Sequence, residues 1–353
     1  MRRYRVVMVF LLVLGSLHAE LNFNEKTTKN AEEHNVSKDN REIQNTNVVT
    51  AVVSLDEENK RLKARVKELE AQIEAMKKGE MAVETETVTT AAAEATQKVF
   101  NSPKFKFTEK APKVLSTYYA AKYQSMDDLK SKLEANGFKV LAVTPILKGK
   151  TVLTITNDEL LKTNTWLATL HVLVNEGDEI RVQNPSYFGA AYLQDKYKYG
   201  QFVETLKALQ SVLGDMYEVN DKFKLADLGN YQFMFGMPYL NDTITVAEGD
   251  DLLAKVTGEN AGKNVAYTLK LPNGDVIVGH KLRNSTNKFL QKIEAEHDAN
   301  ILPYESIIKG KKAIMLDPKY YLALSLPLLS MSDFMKIASA PGEIEKDVKS
   351  AYK

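Results

Sequence analysis

Chemistry in a chain without cysteine has to come from histidines, carboxylates, hydroxyls and lysines, and this sequence disperses all of them. Absence of cysteine removes thiolate nucleophiles, thiolate metal sites, disulfides and a lipidated N-terminal cysteine together. Of the five histidines, His18 falls in the leader and His34 in a polar stretch. His171, His280 and His297 are far apart and form no His-Glu-x-x-His or comparable spacing. Gly149-Lys150-Thr151 has the ending of a phosphate-binding loop. The first glycine of that motif would fall at Thr144 and the loop between is apolar, so the segment reads as a tight turn between strands. No nucleophile elbow, Ser-x-x-Lys set or paired-carboxylate motif is present. The reading therefore assigns no catalytic residue, no metal ligand and no cofactor.

Tyrosines cluster at Tyr118, Tyr119 and Tyr123, at Tyr187, Tyr192, Tyr197 and Tyr199, and again at Tyr320 and Tyr321. With Trp166 and His171 they could line an aromatic cleft, so Trp166, His171 and Tyr321 are the candidate ligand contacts, the alternative being amphipathic core and rim.

The elements that must position these residues begin with a leader. Arg2, Arg3 and Arg5 precede the apolar run Val6 to Leu14, and Gly15-Ser16-Leu17-His18-Ala19 leads to Glu20. That is the order of a secretory signal peptide cleaved between Ala19 and Glu20, the apolar run being about half of the roughly 20 residues that span a bilayer. The expected location is the periplasm, with no transmembrane span after cleavage, the alternatives being secretion or an uncleaved leader whose flanking residues complete a membrane anchor. Lys plus Arg (47) nearly balances Asp plus Glu (46), so no global field draws nucleic acid or an anionic membrane.

Residues 20–50 are polar and read as a flexible tether. Within 51–79, Val52, Asn59, Val66 and Ile73 occupy position a of a heptad, and Leu55, Leu62, Leu69 and Met76 position d. β-Branched residues at a with leucine at d favour two strands, and a lone asparagine at a favours a parallel, in-register homodimer. Glu58 then faces the partner's Lys63, and Arg65 the partner's Glu70. Residues 80–104 read as a second linker. Asn35, in Glu33-His34-Asn35-Val36-Ser37, is a candidate glycan acceptor.

From residue 105 the chain reads as globular and repetitive. SMDDLKSKLEA from Ser125 matches STNKFLQKIEA from Ser285, Ile146 to Lys150 matches Ile307 to Lys311, and the run from Thr165 matches that from Tyr320. The expected fold class is α+β. Two tandem similar modules, residues 105–225 and 231–353, each carry an antiparallel-rich sheet with packed helices behind the coiled coil and linkers. The stretch Tyr118 to Leu193 resembles the bacterial family catalogued as domain of unknown function 302. The resemblance is carried by Leu129, Leu133, Gly137-Phe138, His171-Val172-Leu173-Val174, Arg181-Val182 and Asn184-Pro185. Asp317-Pro318 and Leu326-Pro327-Leu328-Leu329 match it more weakly, and Asn157-Asp158 stands where the family has Asn-Pro. The resemblance implies a small α+β fold and no assigned activity.

The function expected from the sequence is that of a non-enzymatic accessory protein displaying paired modules to another envelope component. The alternative is a small-ligand carrier using the aromatic cleft between modules, and behind it an enzyme whose site is assembled in space.

Overall fold

The computed structural model describes residues 100–353 except 259 and 260, together with Lys63 and Lys67, both helical and exposed. The chain divides into two compact units, Met1–Val88 and Thr89–Lys353, and the second is described here. The signal sequence with its Ala19 and Glu20 junction, Asn35, and the heptad positions from Val52 to Met76 lie outside the described residues.

The second unit is mixed α/β with antiparallel sheets. A short strand β1 (Val114–Ser116) leads into β2 (Tyr118–Lys122) and helix α1 (Met126–Ala135). The Ser125 hydroxyl accepts from the Asp128 amide at 3.2 Å, capping α1, whose buried face is Leu129 and Leu133. Gly137, at φ +85°, lets the chain leave the helix. Then come β3 (Lys139–Leu147), β4 (Lys150–Thr156), α2 (Asp158–Leu161), a 3₁₀ turn at Trp166–Ala168, β5 (Leu170–Asn175) and β6 (Glu179–Gln183). Helices α3 (Pro185–Leu193) and α4 (Val203–Leu213) precede β7 (Tyr217–Glu218), and β8 (Lys222–Lys224) pairs with β1 before α5 (Leu225–Leu228). The first sheet runs in the order β3-β4-β5-β6-β2-β7.

The second sheet starts with β9 (Ile244–Glu248) and α6 (Leu252–Thr257), followed by the hairpin of β10 (Val265–Lys270) and β11 (Val276–His280). Helices α7 (Asn284–Asn287) and α8 (Phe289–Lys292) and a 3₁₀ segment at Glu296–Ile301 connect to β12 (Tyr304–Lys309) and β13 (Lys312–Met315). Helices α9 (Pro318–Ser325), α10 (Met331–Lys336) and α11 (Ala340–Ser350) close the chain. Its order is β10-β11-β12-β13-β9. Both sheets thus place their five principal strands as second, third, fourth, fifth, first, and β7 is added outside β2 in the first.

The segments paired by sequence occupy different places in that scheme. SMDDLKSKLEA is the helix between first and second strands, whereas STNKFLQKIEA forms α7 and α8 between third and fourth, with Ser285 inside α7 and not its cap. Leu170 to Val174 lies in strand β5, while the run from Tyr320 belongs to α9. The two Lys-Gly-Lys turns close different hairpins. Each needs glycine at positive φ, Gly149 at +70° and Gly310 at +58°, and the same local turn chemistry recurs at both. Strand order instead equates Asn184-Pro185 with Asp317-Pro318. Asn184 accepts from the Ser186 amide at 2.9 Å and Asp317 from the Lys319 amide at 2.8 Å, each with proline in the first helical turn. Asn157 caps α2 instead.

One principal core runs through both sheets, and a smaller one gathers Ala168, Tyr267, Ile277 and Ile307. Tyrosines fasten the two halves. The carbonyls of Ala323, Leu324 and Ser325 fall in the last turn of α9, where helical partners run out. They accept from the hydroxyls of Tyr231, Tyr187 and Tyr118, each at 2.8 Å. Tyr118 comes from β2 and Tyr187 from α3, so a helix end of the second sheet is capped by side chains of the first.

Candidate functional site

Strand pairing puts Lys150, His171, Asn175, Glu179, Arg181 and Gln183 on one face of the first sheet, since Lys150 pairs with Asn175, Asn175 with Glu179, and Leu173 with Arg181. In a single solvated sheet such alternation would mark the wet face. Here, apart from the half-buried Lys150, these side chains are buried, because the 296–301 segment lies across them. The Arg181 guanidinium donates to Asp298 Oδ1 at 2.6 Å and to Glu179 Oε1 at 2.7 Å. His297 Nδ1 lies 3.6 Å from Glu179 Oε1 and 3.8 Å from Asp178 Oδ2. Lys150 donates to Asn175 Oδ1 at 2.7 Å, and Asn175 in turn donates to Asp178.

This cluster is electrostatically closed on itself. Burial alone would raise the Glu179 carboxyl, but His297 and Arg181 together hold it below the ordinary carboxylate range. Burial opposes the Arg181 charge, and the Asp298 and Glu179 carboxylates more than restore it. Burial lowers Lys150.

A second buried cluster joins the two sheets. Glu305 of β12 accepts from Thr169 Oγ1 at 2.5 Å and from the Tyr267 hydroxyl, and His171 Nε2 stands 3.6 Å away. The other histidine nitrogen, Nδ1, is 2.9 Å from the Asn300 carbonyl, and the Tyr321 hydroxyl donates to the next one, Ile301, at 2.9 Å. His171 and Tyr321 therefore meet the same segment as core anchors. Trp166, half-buried, packs against both cores. None of the three lines either of the two grooves described below.

His280 and Ser306 have the composition of a base and nucleophile, with Nε2 2.7 Å from Oγ, and Ser306 Oγ is 2.7 Å from the Tyr352 hydroxyl. Burial takes His280 down to about 3, its Nδ1 has no partner, and all three side chains are buried. The chain ties the C-terminus to the second sheet. Among the described residues no acid partners the other imidazole nitrogen.

Grooves among the described residues include two that bear on function. One, of about 120 Å³, is lined by aromatic residues including Phe105, Phe107, Tyr119 and Tyr199. The other, of about 190 Å³, opens at the end of the Arg181 cluster. Asp221, Glu294, Asp298 and Asp333 supply its carboxylates, and Ile293, Leu326, Leu328 and Leu329 its apolar wall. Leu328 is 63% exposed. Asp298 is spent on Arg181, and Asp333 on Lys336 at 2.8 Å. The half-buried Asp221 has no side-chain hydrogen bond among the described residues, while its carbonyl accepts from Thr117. Burial, then the neighbouring Asp298 carboxylate, push Asp221 up to about 7 against the pull of Arg181.

Sequence reasoning did not single out Asp221, Asp298 or Leu328 as a site. The available signal was the pair of charges inside the strand Glu179-Ile180-Arg181-Val182-Gln183, which needs partners if buried. Among the described residues no group of three or more His, Asp or Glu could hold a metal ion, and no helix is long and apolar enough to cross a membrane. No family model, curated protein or solved structure matches the chain. The resemblance to domain of unknown function 302 rests on the residues quoted for it alone.

Proposed function

We propose that this chain is an exported, non-enzymatic interaction protein, a coiled-coil homodimer that holds two copies of one α+β module as a single recognition unit. The common strand order and the matching Asn184-Pro185 and Asp317-Pro318 helix starts support the duplication. The observation that carries the functional reading is the 190 Å³ groove. An exposed leucine and a carboxylate without an ion pair among the described residues are left there together, whereas the buried acid and base groups behind them are largely paired with one another. Of the tyrosines of the expected aromatic cleft, Tyr118, Tyr187 and Tyr321 spend their hydroxyls on backbone carbonyls, so a carrier would have to use the separate 120 Å³ groove at Tyr119 and Tyr199.

Native mass spectrometry of the protein purified from its own host tests this. The expected species is a homodimer of the chain beginning at Glu20, without a retained small molecule. One small molecule of constant mass per chain would overturn the reading in favour of a carrier.

A further inference from the structure

Resting on that reading, we infer that the groove at Asp221 and Leu328 docks a basic amphipathic segment of a partner protein, a lysine or arginine entering beside Asp221 and Asp298 while a neighbouring apolar side chain lies on Leu326, Leu328 and Leu329. The argument is one of complementarity on both counts. Four carboxylates face the groove and two cations are engaged there, Arg181 with Asp298 and Lys336 with Asp333. Asp221 and Glu294 form no contact ion pair among the described residues and meet Arg181 and Lys336 only at longer range, so the groove's four carboxylates outnumber its two cations and its field is negative. A small inorganic cation would satisfy that field and leave the leucines wet. An apolar ligand would cover the leucines and bury the carboxylates unpaired. A chain carrying both kinds of group removes both costs, which is the helix-in-groove mode of peptide recognition.

The groups facing Asp221 from neighbouring elements are Asp298 and Arg181, with the buried Tyr118 and Tyr187 hydroxyls, each raised chiefly by burial and to a smaller extent by Asp221. A docked cation favours the ionised Asp221. Affinity therefore rises with pH through the region of about 7 in which that group titrates.

The probe is a fluorescein-labelled dodecapeptide of repeated Lys-Leu-Leu-Lys, with Glu-Leu-Leu-Glu and Lys-Ser-Ser-Lys repeats as controls, titrated against the full chain by anisotropy. The Lys-Leu peptide should bind and both controls should not. Leu328→Ser, at an exposed position that leaves the fold intact, should weaken binding by about tenfold or more, and Asp221→Asn should weaken it and flatten its pH dependence. Equal binding of the Lys-Ser peptide, or wild-type affinity in both variants, overturns the assignment to this groove. Binding of the Glu-Leu peptide overturns the charge argument while leaving the interaction reading in place. A retained small ligand in the native mass would remove that reading instead.

Discussion

Asp221→Asn should make the protein more stable, and only above the acid range. The folded chain holds this carboxyl at about 7 against an ordinary value of 3.8, chiefly by burial. A group whose pKa is raised by folding contributes nothing unfavourable below its unfolded value. It then costs stability as pH climbs toward its folded value, and the cost is constant above that. A shift of about three units at 1.36 kcal/mol per unit gives an upper bound of about 4 kcal/mol, and partial exposure brings the expectation to about 1 to 3 kcal/mol at pH 8. Asparagine keeps the shape and removes the titration, so the two proteins should be equally stable near pH 4 and diverge up to pH 7. Trp166 is the only tryptophan and sits half-buried against both cores, which makes its fluorescence a reporter for urea unfolding at pH 4.5, 6 and 8. A variant less stable than the parent at pH 8, or a difference unchanged across that range, would refute the reasoning.

Arg181→Met should destabilise by about 3 to 5 kcal/mol at neutral pH in urea denaturation, because Glu179 and Asp298 are left buried without the guanidinium, and the deficit should shrink in acid as the Glu179 carboxylate takes up a proton. Tyr118→Phe and Tyr187→Phe should each cost about 1 to 2 kcal/mol by the same assay, every lost hydroxyl leaving one α9 carbonyl without a donor, and an unchanged midpoint would show that the tyrosine cap contributes nothing. On the proposed coiled coil, Asn59→Val should shift the dimer toward trimers or tetramers in sedimentation equilibrium, because a lone polar residue at position a specifies strand number and register.

Local structure was legible where one residue carries the signal. Ser125 caps α1, Gly137 ends it, and the Asn175 to Asp178 turn joins β5 to β6 as its composition requires. The α+β character followed from the same pattern. What misled was similarity between short segments. An amphipathic Leu-x-x-x-Leu run and a Lys-Gly-Lys turn recur because helices and hairpins need them, so they aligned α1 with α7 and α8, and the second-to-third strand hairpin with the fourth-to-fifth. The proline-started helices were the better landmark, since an Asn or Asp cap followed by proline fixes a helix start. The groove was not legible at all. Asp221 lies between β7 and β8, Asp298 in a 3₁₀ segment and Leu328 after α9, and only tertiary packing puts them within one cavity.

Methyl-resolved NMR of the full chain, titrated with the Lys-Leu-Leu-Lys dodecapeptide at pH 8, tests the central claim most directly. The account predicts saturable shifts confined to Ile293, Leu326, Leu328 and Leu329, fading as the sample is brought to pH 6. Shifts centred instead on Val114, Val203 and Leu206, which line the aromatic groove, or scattered with no saturable set, would contradict it.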